Sequence, residues 1–147
     1  MTMPRRKKVL ILCTGNSCRS QMAEFFLRKL RPSWEVYSAG TFPAAEVHPK
    51  AVAVMREVGI DMSGARPKPV EDFLHESFDY VITVCDHARE TCPVFLGGVR
   101  ERVHMGFEDP ASAVGSEDEI LATFRKVRDQ IRDALAQWVE STEADPD

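Results

Sequence analysis

No stretch of this chain is apolar for long enough to cross a membrane, which takes about 20 consecutive residues. The basic run Arg5-Arg6-Lys7-Lys8 is followed by an apolar segment, but one too short for the core of a signal peptide. An excess of basic charge is also missing: 19 Lys and Arg against 23 Asp and Glu leave a net charge of −4. That argues against a nucleic-acid surface, which needs clustered Lys and Arg. The single dense basic patch, Arg5–Lys8, is expected to be a solvated lead-in to a strand. There is no internal repeat, linker or low-complexity segment. No Gly-Lys-Ser/Thr run is present for a Walker loop, and no dinucleotide fingerprint. His48, His75, His87 and His104 have no ligand-like spacing and are expected to be structural or on the surface. The four cysteines are spaced Cys-x4-Cys and Cys-x6-Cys, unlike the tight pairs of a zinc ribbon. The expected location is the cytoplasm, where thiols are kept reduced. Four cysteines there are expected to be reactive or metal-bound rather than structural bridges.

What is present reads as one α/β domain. A chain of 147 residues, 44% apolar and 29% charged, suits one core. Strand patterns fall at Lys8–Leu12, Glu35–Ala39, Tyr80–Val84 and Arg102–Met105. Lys8–Leu12 is nearly all apolar, as in a strand buried on both faces. Helical patterns alternate with them. One runs from Cys18 or Arg19 to Leu30 and is ended by Pro32. A second begins near His48-Pro49 and stops at Gly59. A short helix is expected within Arg66–Ser77. The last opens on Ser116-Glu117-Asp118-Glu119, which has capping-box spacing, and carries Ile120, Phe124, Val127, Ile131, Leu135 and Trp138 on one stripe. This alternation predicts a single-domain three-layer sandwich: a four-stranded parallel sheet with helices on both faces. Residues 1–140 are expected to form one catalytic domain, with 141–147 a disordered acidic tail.

The chemistry is concentrated in Cys13-Thr14-Gly15-Asn16-Ser17-Cys18-Arg19-Ser20, between the first strand and the first helix. Backbone N–H groups of such a loop, with the helix dipole, favour a tetrahedral oxyanion. Thr14, Gly15, Asn16, Ser17, Cys18, Arg19 and Ser20 are thus candidate oxyanion ligands. Gly15 allows close approach of the backbone. Asn16 tolerates a left-handed conformation. Arg19 offers a planar fork for two oxygens. The same field is expected to hold a Cys13 thiolate well below the ordinary thiol value of about 8.5, helped by a hydrogen bond from Ser20. A leaving oxygen needs a proton. Asp109, set by Pro110 in an extended backbone, is the candidate acid, with Glu108 as fallback. Read alone, Asp109-Pro110 is an ordinary loop turn.

Cys85 stands at the carboxyl end of the third strand, the edge where open parallel sheets bind ligands. If the first and third strands are neighbours, it lies near Cys13. Cys92 follows seven positions later. Seven residues of helix rise about 10.5 Å, whereas a disulfide needs Cα atoms roughly 4.4–6.8 Å apart. Cys85 and Cys92 can therefore bond only if the segment between them unwinds. That points to two states, reduced and oxidised, and to thiol–disulfide exchange from Cys13 to Cys85 to Cys92. The plain alternative is two unrelated thiols. His87 and Arg89, between them, are expected on the helix surface.

The loop, its continuation Gln21-Met22-Ala23-Glu24, and Asp109-Pro110 resemble the low-molecular-weight protein tyrosine phosphatase fold, from about Lys8 to Val139. The resemblance implies a nucleophilic Cys13, an oxyanion-binding Arg19 and a general acid at Asp109. Ordinary tyrosine phosphatases need no second cysteine pair and usually carry proline where this chain has Gln21. Cys13, Cys85 and Cys92 together resemble the thioredoxin-coupled arsenate reductases built on this fold. That family implies arsenate in the loop, attack by Cys13 on arsenic, attack by Cys85 on Cys13 with release of arsenite, and attack by Cys92 on Cys85. The final disulfide is left for thioredoxin. Cys18 has no part in the scheme and reads as a packing residue. Some of these reductases bind potassium. Asn16 and Glu24 match two of its ligands, but Ser63–Lys68 has no acidic residue, and Lys68 or Arg66 is expected to supply the positive charge. Neither a metal nor a cofactor is expected, nor a membrane or nucleic-acid partner, and the expected state is a monomer. The alternatives are a tyrosine phosphatase with incidental Cys85 and Cys92, and a zinc- or arsenite-binding module using all four cysteines.

Overall fold

The computed structural model describes residues 7–143, so Arg5, Arg6 and the tail positions 144–147 lie outside the described residues. The elements run β1 (Lys8–Cys13), α1 (Arg19–Leu30), β2 (Glu35–Gly40), α2 (Pro49–Glu57), β3 (Phe78–Thr83), α3 (Asp86–Thr91), β4 (Val99–His104) and α4 (Glu117–Glu143). Short 3-10 turns stand at Val70–Phe73 and Pro110–Ser112. The four strands form one parallel sheet in the order β2-β1-β3-β4. This is the expected α/β architecture.

The apolar run of β1 explains its central place. Val9, Leu10, Ile11 and Leu12 are all fully buried, which requires cover on both faces. Side chains alternate between faces along a strand. Tyr80 meets Trp138 of α4 edge-on at 5.0 Å, so that face of β3 carries α4. Arg102, whose partner Val81 is on the opposite face, meets Cys92 at the end of α3. Helix α1 buries Met22, Ala23, Phe26 and Leu27. Helix α4 buries Phe124, Val127, Ile131 and Leu135, residues of the stripe read from the sequence. Its capping box forms: the Glu119 amide donates to Ser116 Oγ at 3.1 Å, and the Ser116 amide to Glu119 Oε1 at 3.3 Å.

Several expectations are corrected. Strands β3 and β4 start earlier than their patterns suggested, because Phe78 pairs with Val99, a register set between strands rather than within either one. Helix α4 continues through Ser141 to Glu143, past the expected boundary at 140, since its hydrogen-bond ladder needs no apolar side chain to propagate. The basic run is not wholly a solvated lead-in. Lys7 is buried and its carbonyl accepts from the Glu35 amide, and Lys8 Nζ meets Glu76 at 2.6 Å.

Gly40 ends β2 where the sheet passes closest to the Cys13 loop. A Cβ on Gly40 would lie 2.4 Å from the Thr14 carbonyl oxygen and 3.2 Å from the Asn16 backbone nitrogen. Gly40→Ala must push the loop away from the sheet. It is expected to lower stability by about 1–3 kcal/mol, as overpacking does, and to weaken oxyanion binding, both read by urea titration with and without phosphate.

Candidate functional site

Six successive carbonyls of the loop are tied from outside it. Those of Cys13, Thr14, Gly15 and Ser17 accept from the amides of Thr41, Phe42, Ala44 and His48 at 2.9–3.1 Å. That of Asn16 accepts from Gln21 Nε2 at 3.2 Å, and that of Cys18 from the Met22 amide at 3.0 Å. In a trans peptide the C=O and N–H point opposite ways. Carbonyls fixed outward therefore turn the amides inward, and the Asn16 amide already donates to Cys13 Sγ at 3.1 Å. Helix α1 has no side-chain cap at Cys18, so its first N–H groups are also available to an anion. A cradle for a tetrahedral oxyanion follows from backbone geometry.

Asn16 is the keystone of the loop. It takes the left-handed conformation expected of it, with φ of 51°. Its Nδ2 donates to Ser20 Oγ at 2.7 Å and to Ser38 Oγ at 2.9 Å. Its Oδ1 accepts from Gln21 Nε2 at 3.1 Å and the Lys68 amide at 2.9 Å. The donations fix the direction of the chain. Ser38 passes its own proton to Glu24 Oε1 at 2.6 Å, and Ser20 is left to aim its proton at Cys13 Sγ, 2.8 Å away. A buried carboxylate is thereby linked to the thiol through two hydroxyls and one amide.

The cation near Glu24 is resolved between the two candidates: Lys68 Nζ lies 3.6 Å from Glu24 Oε1, and Arg66 offers its carbonyl to Lys68 Nζ instead. Arg28 meets the other Glu24 oxygen at 2.8 Å. With both Glu24 oxygens facing cationic nitrogen and both acceptor positions of Asn16 Oδ1 taken, these residues fit an ammonium group and not a potassium ion.

Arg19 stands between the loop and the Asp109 segment. Its Nη1 donates to the Phe107 carbonyl at 3.0 Å, and its Nη2 lies 3.8 Å from Asp109 Oδ2. Glu108 is held by Lys126 at 2.6 Å, so Asp109 is the carboxyl that faces the loop arginine. Cys85, two residues beyond the end of β3, which pairs with β1, has Sγ 3.5 Å from Thr14 Oγ1. It caps α3, its sulfur accepting from the Ala88 amide, while Cys92 ends the same helix. All four thiols are free. His48 caps α2 through Nδ1 and packs on Phe124, and His87 is exposed, as expected. His104 is structural: it links Thr83 Oγ1 at 2.8 Å to Asp86 at 3.1 Å, anchoring the start of α3.

The expected depression of the Cys13 thiol is overturned. Burial dominates and pushes it above its ordinary value, against the hydrogen bonds of Ser20 and Asn16 and the charge of Arg19. Cys18 is pushed up to about 12, chiefly by burial, which fits its reading as a packing residue. Reactivity at Cys13 thus hangs on the few groups that oppose desolvation. Ser20→Ala removes the foremost of them and is expected to raise the Cys13 thiol further. Alkylation of Cys13 should then be slower at neutral pH by about tenfold, recovering as pH rises, measured by mass spectrometry across a pH series.

Comparison with known proteins agrees with this geometry. An arsenate reductase of Halalkalibacterium halodurans is 45% identical over 137 residues, 92% of this chain and 97% of that protein. A solved arsenate reductase in its phosphate-binding state superposes with a TM-score of 0.77 at 35% identity, covering 92% of this chain and 98% of the other. A thioredoxin-dependent arsenate reductase of Corynebacterium glutamicum superposes with a TM-score of 0.61 at 29% identity, over 95% of this chain and 65% of its own. Residues 8–146 match the low molecular weight phosphotyrosine protein phosphatase family, and the chain belongs to that family.

Proposed function

We propose that this chain is an arsenate reductase that works by a three-cysteine relay and is re-reduced by thioredoxin. The observation that carries the reading is the second thiol at the rim of the cradle: Cys85 Sγ, 3.5 Å from Thr14 Oγ1, just past the end of the strand that pairs with β1. The resemblance to arsenate reductases over most of the chain supports the substrate. The thioredoxin-dependent relative supports the reductant.

Arsenate is a tetrahedral oxyanion that suits the inward amides and the Arg19 fork. The Cys13 thiolate bonds to arsenic, and Asp109 protonates the departing oxygen, which leaves as water. Cys85 attacks Cys13 Sγ. The S–As bond breaks with its electron pair going to arsenic, so arsenic(V) becomes arsenic(III) and two thiols become one disulfide. Cys92 then attacks Cys85, and Cys13 departs as a thiolate onto the Asn16 amide and Ser20 hydroxyl. That step needs α3 to unwind, since Cys85 and Cys92 stand at its two ends. Thioredoxin reduces the Cys85–Cys92 disulfide. The chain acts as a monomer, and its place is the cytoplasm. Among the described residues no helix is long and apolar enough to cross a membrane. Cys13, Arg19 and Asp109 alone suit slow aryl-phosphate hydrolysis as a side reaction.

The test is arsenate-dependent NADPH oxidation with thioredoxin and its reductase. Cys85→Ser and Cys92→Ser should each reduce turnover to the level of Cys13→Ser, and Cys92→Ser should accumulate a Cys13–Cys85 disulfide. If both variants cycle like the unaltered chain, the relay is wrong.

A further inference from the structure

Cys92 carries a cation directly on its sulfur. Arg102, in edge strand β4, places Nη1 2.8 Å from Cys92 Sγ and Nη2 3.3 Å from the Pro93 carbonyl. The guanidinium also lies 6.0 Å from the centre of the Phe95 ring, so the fork is held on three sides. Register explains the placement: Arg102 is opposite Val81, on the sheet face that carries the α3 segment. The two residues border a cavity of about 180 Å³, with Arg89 of α3 and His104 of β4 also on its wall. Among the described residues no carboxylate lines it. The nearby Asp86 is engaged by His104 at 3.1 Å and by Arg89 at 3.9 Å.

We propose that Arg102 is a catalytic residue of the second thiol exchange, holding Cys92 as the thiolate that attacks Cys85. The assignment rests on the relay proposed above and adds a residue to it. In this exchange the Cys92 thiolate bonds to Cys85 Sγ and the Cys85–Cys13 bond breaks. The electron pair leaves on Cys13, so no outside oxidant or reductant is needed. An attacking thiol must be ionised near ambient pH. Burial works against that at Cys92 and pushes its thiol up, while Arg102 opposes burial by both charge and hydrogen bond. The fork does a second thing. By binding Pro93 as well as the sulfur, it fixes the carboxyl end of α3 at the thiol that must move.

The assignment is tested first on Cys92 alone, in a chain with Cys13→Ser, Cys18→Ala and Cys85→Ser. The alkylation rate at neutral pH, divided by its high-pH plateau to remove any change in exposure, should fall about tenfold in Arg102→Ala. Arg102→Lys, which keeps the charge and loses the fork, should recover part of it. An unchanged ratio overturns the assignment. In the chain with all four cysteines, Arg102→Ala should accumulate the Cys13–Cys85 disulfide after arsenate is added at neutral pH and lose the accumulation at alkaline pH. Absence of that accumulation overturns the catalytic role. Failure of the relay itself looks different: Cys92→Ser would then turn over freely whatever Arg102 does to the alkylation ratio.

Discussion

The outward tying of the loop carbonyls is the constraint on which the rest of the site depends. Peptides between Cys13 and Arg19 have two edges, and the segment from Thr41 to His48 claims the carbonyl edge of most of them. That segment leaves β2 at Gly40, and β2 pairs directly with β1, so sheet order places it beside the loop. A side chain at Gly40 would collide with Thr14, which is why the strand ends on a residue without one. A parallel sheet buried on both faces thus becomes an anion cradle through one close backbone contact. No charged side chain is needed to shape it, and Arg19 is added to a cavity that already favours anions.

The electrostatics follow the same economy. A thiol buried as deeply as Cys13 resists ionisation, and the loop answers with directed hydrogen bonds. Asn16 sets the direction by donating to both serines, so the proton of each hydroxyl points away from it, one toward Glu24 and one toward Cys13. Glu24 is buried and balanced by Lys68 and Arg28. The tethered ammonium of Lys68 comes from the same segment whose amide bonds Asn16, so the charge and the loop geometry are set together.

Much of this was legible in the sequence because it is local. The Cys13–Ser20 run holds its nucleophile, turn residues and arginine within eight consecutive positions, and the strand and helix around it have clear periods. Asp109 was legible through Pro110, and Cys85 through its place at a strand end. What was missed depends on register. Ser38, Arg102 and His104 are ordinary residues until strand pairing sets each against a particular neighbour. Gly40 reads as a strand terminator until the Thr14 carbonyl is placed beside it. The Cys13 thiol was misjudged for a related reason. Local sequence shows the groups that lower a thiol, while burial is the sum of everything packed around it.

The fold also explains why a phosphatase-like cradle suits redox chemistry. Cys85 and Cys92 bracket a six-residue helix anchored at its start by His104 and at its end by Arg102, a length at which a helix gains little stability from its own hydrogen bonds. Cys85 lies against the loop through Thr14, and Cys92 lies at the other end of the helix against Arg102. The central claim is that oxidation passes from Cys13 outward. It is tested most directly by single turnover of the fully reduced chain with arsenate and no thioredoxin, followed by disulfide mapping. The account predicts one arsenite released per chain, a Cys85–Cys92 disulfide and Cys13 returned as a free thiol. Arsenite release with Cys85 and Cys92 still reduced, or a disulfide joining Cys13 to Cys18, would contradict it.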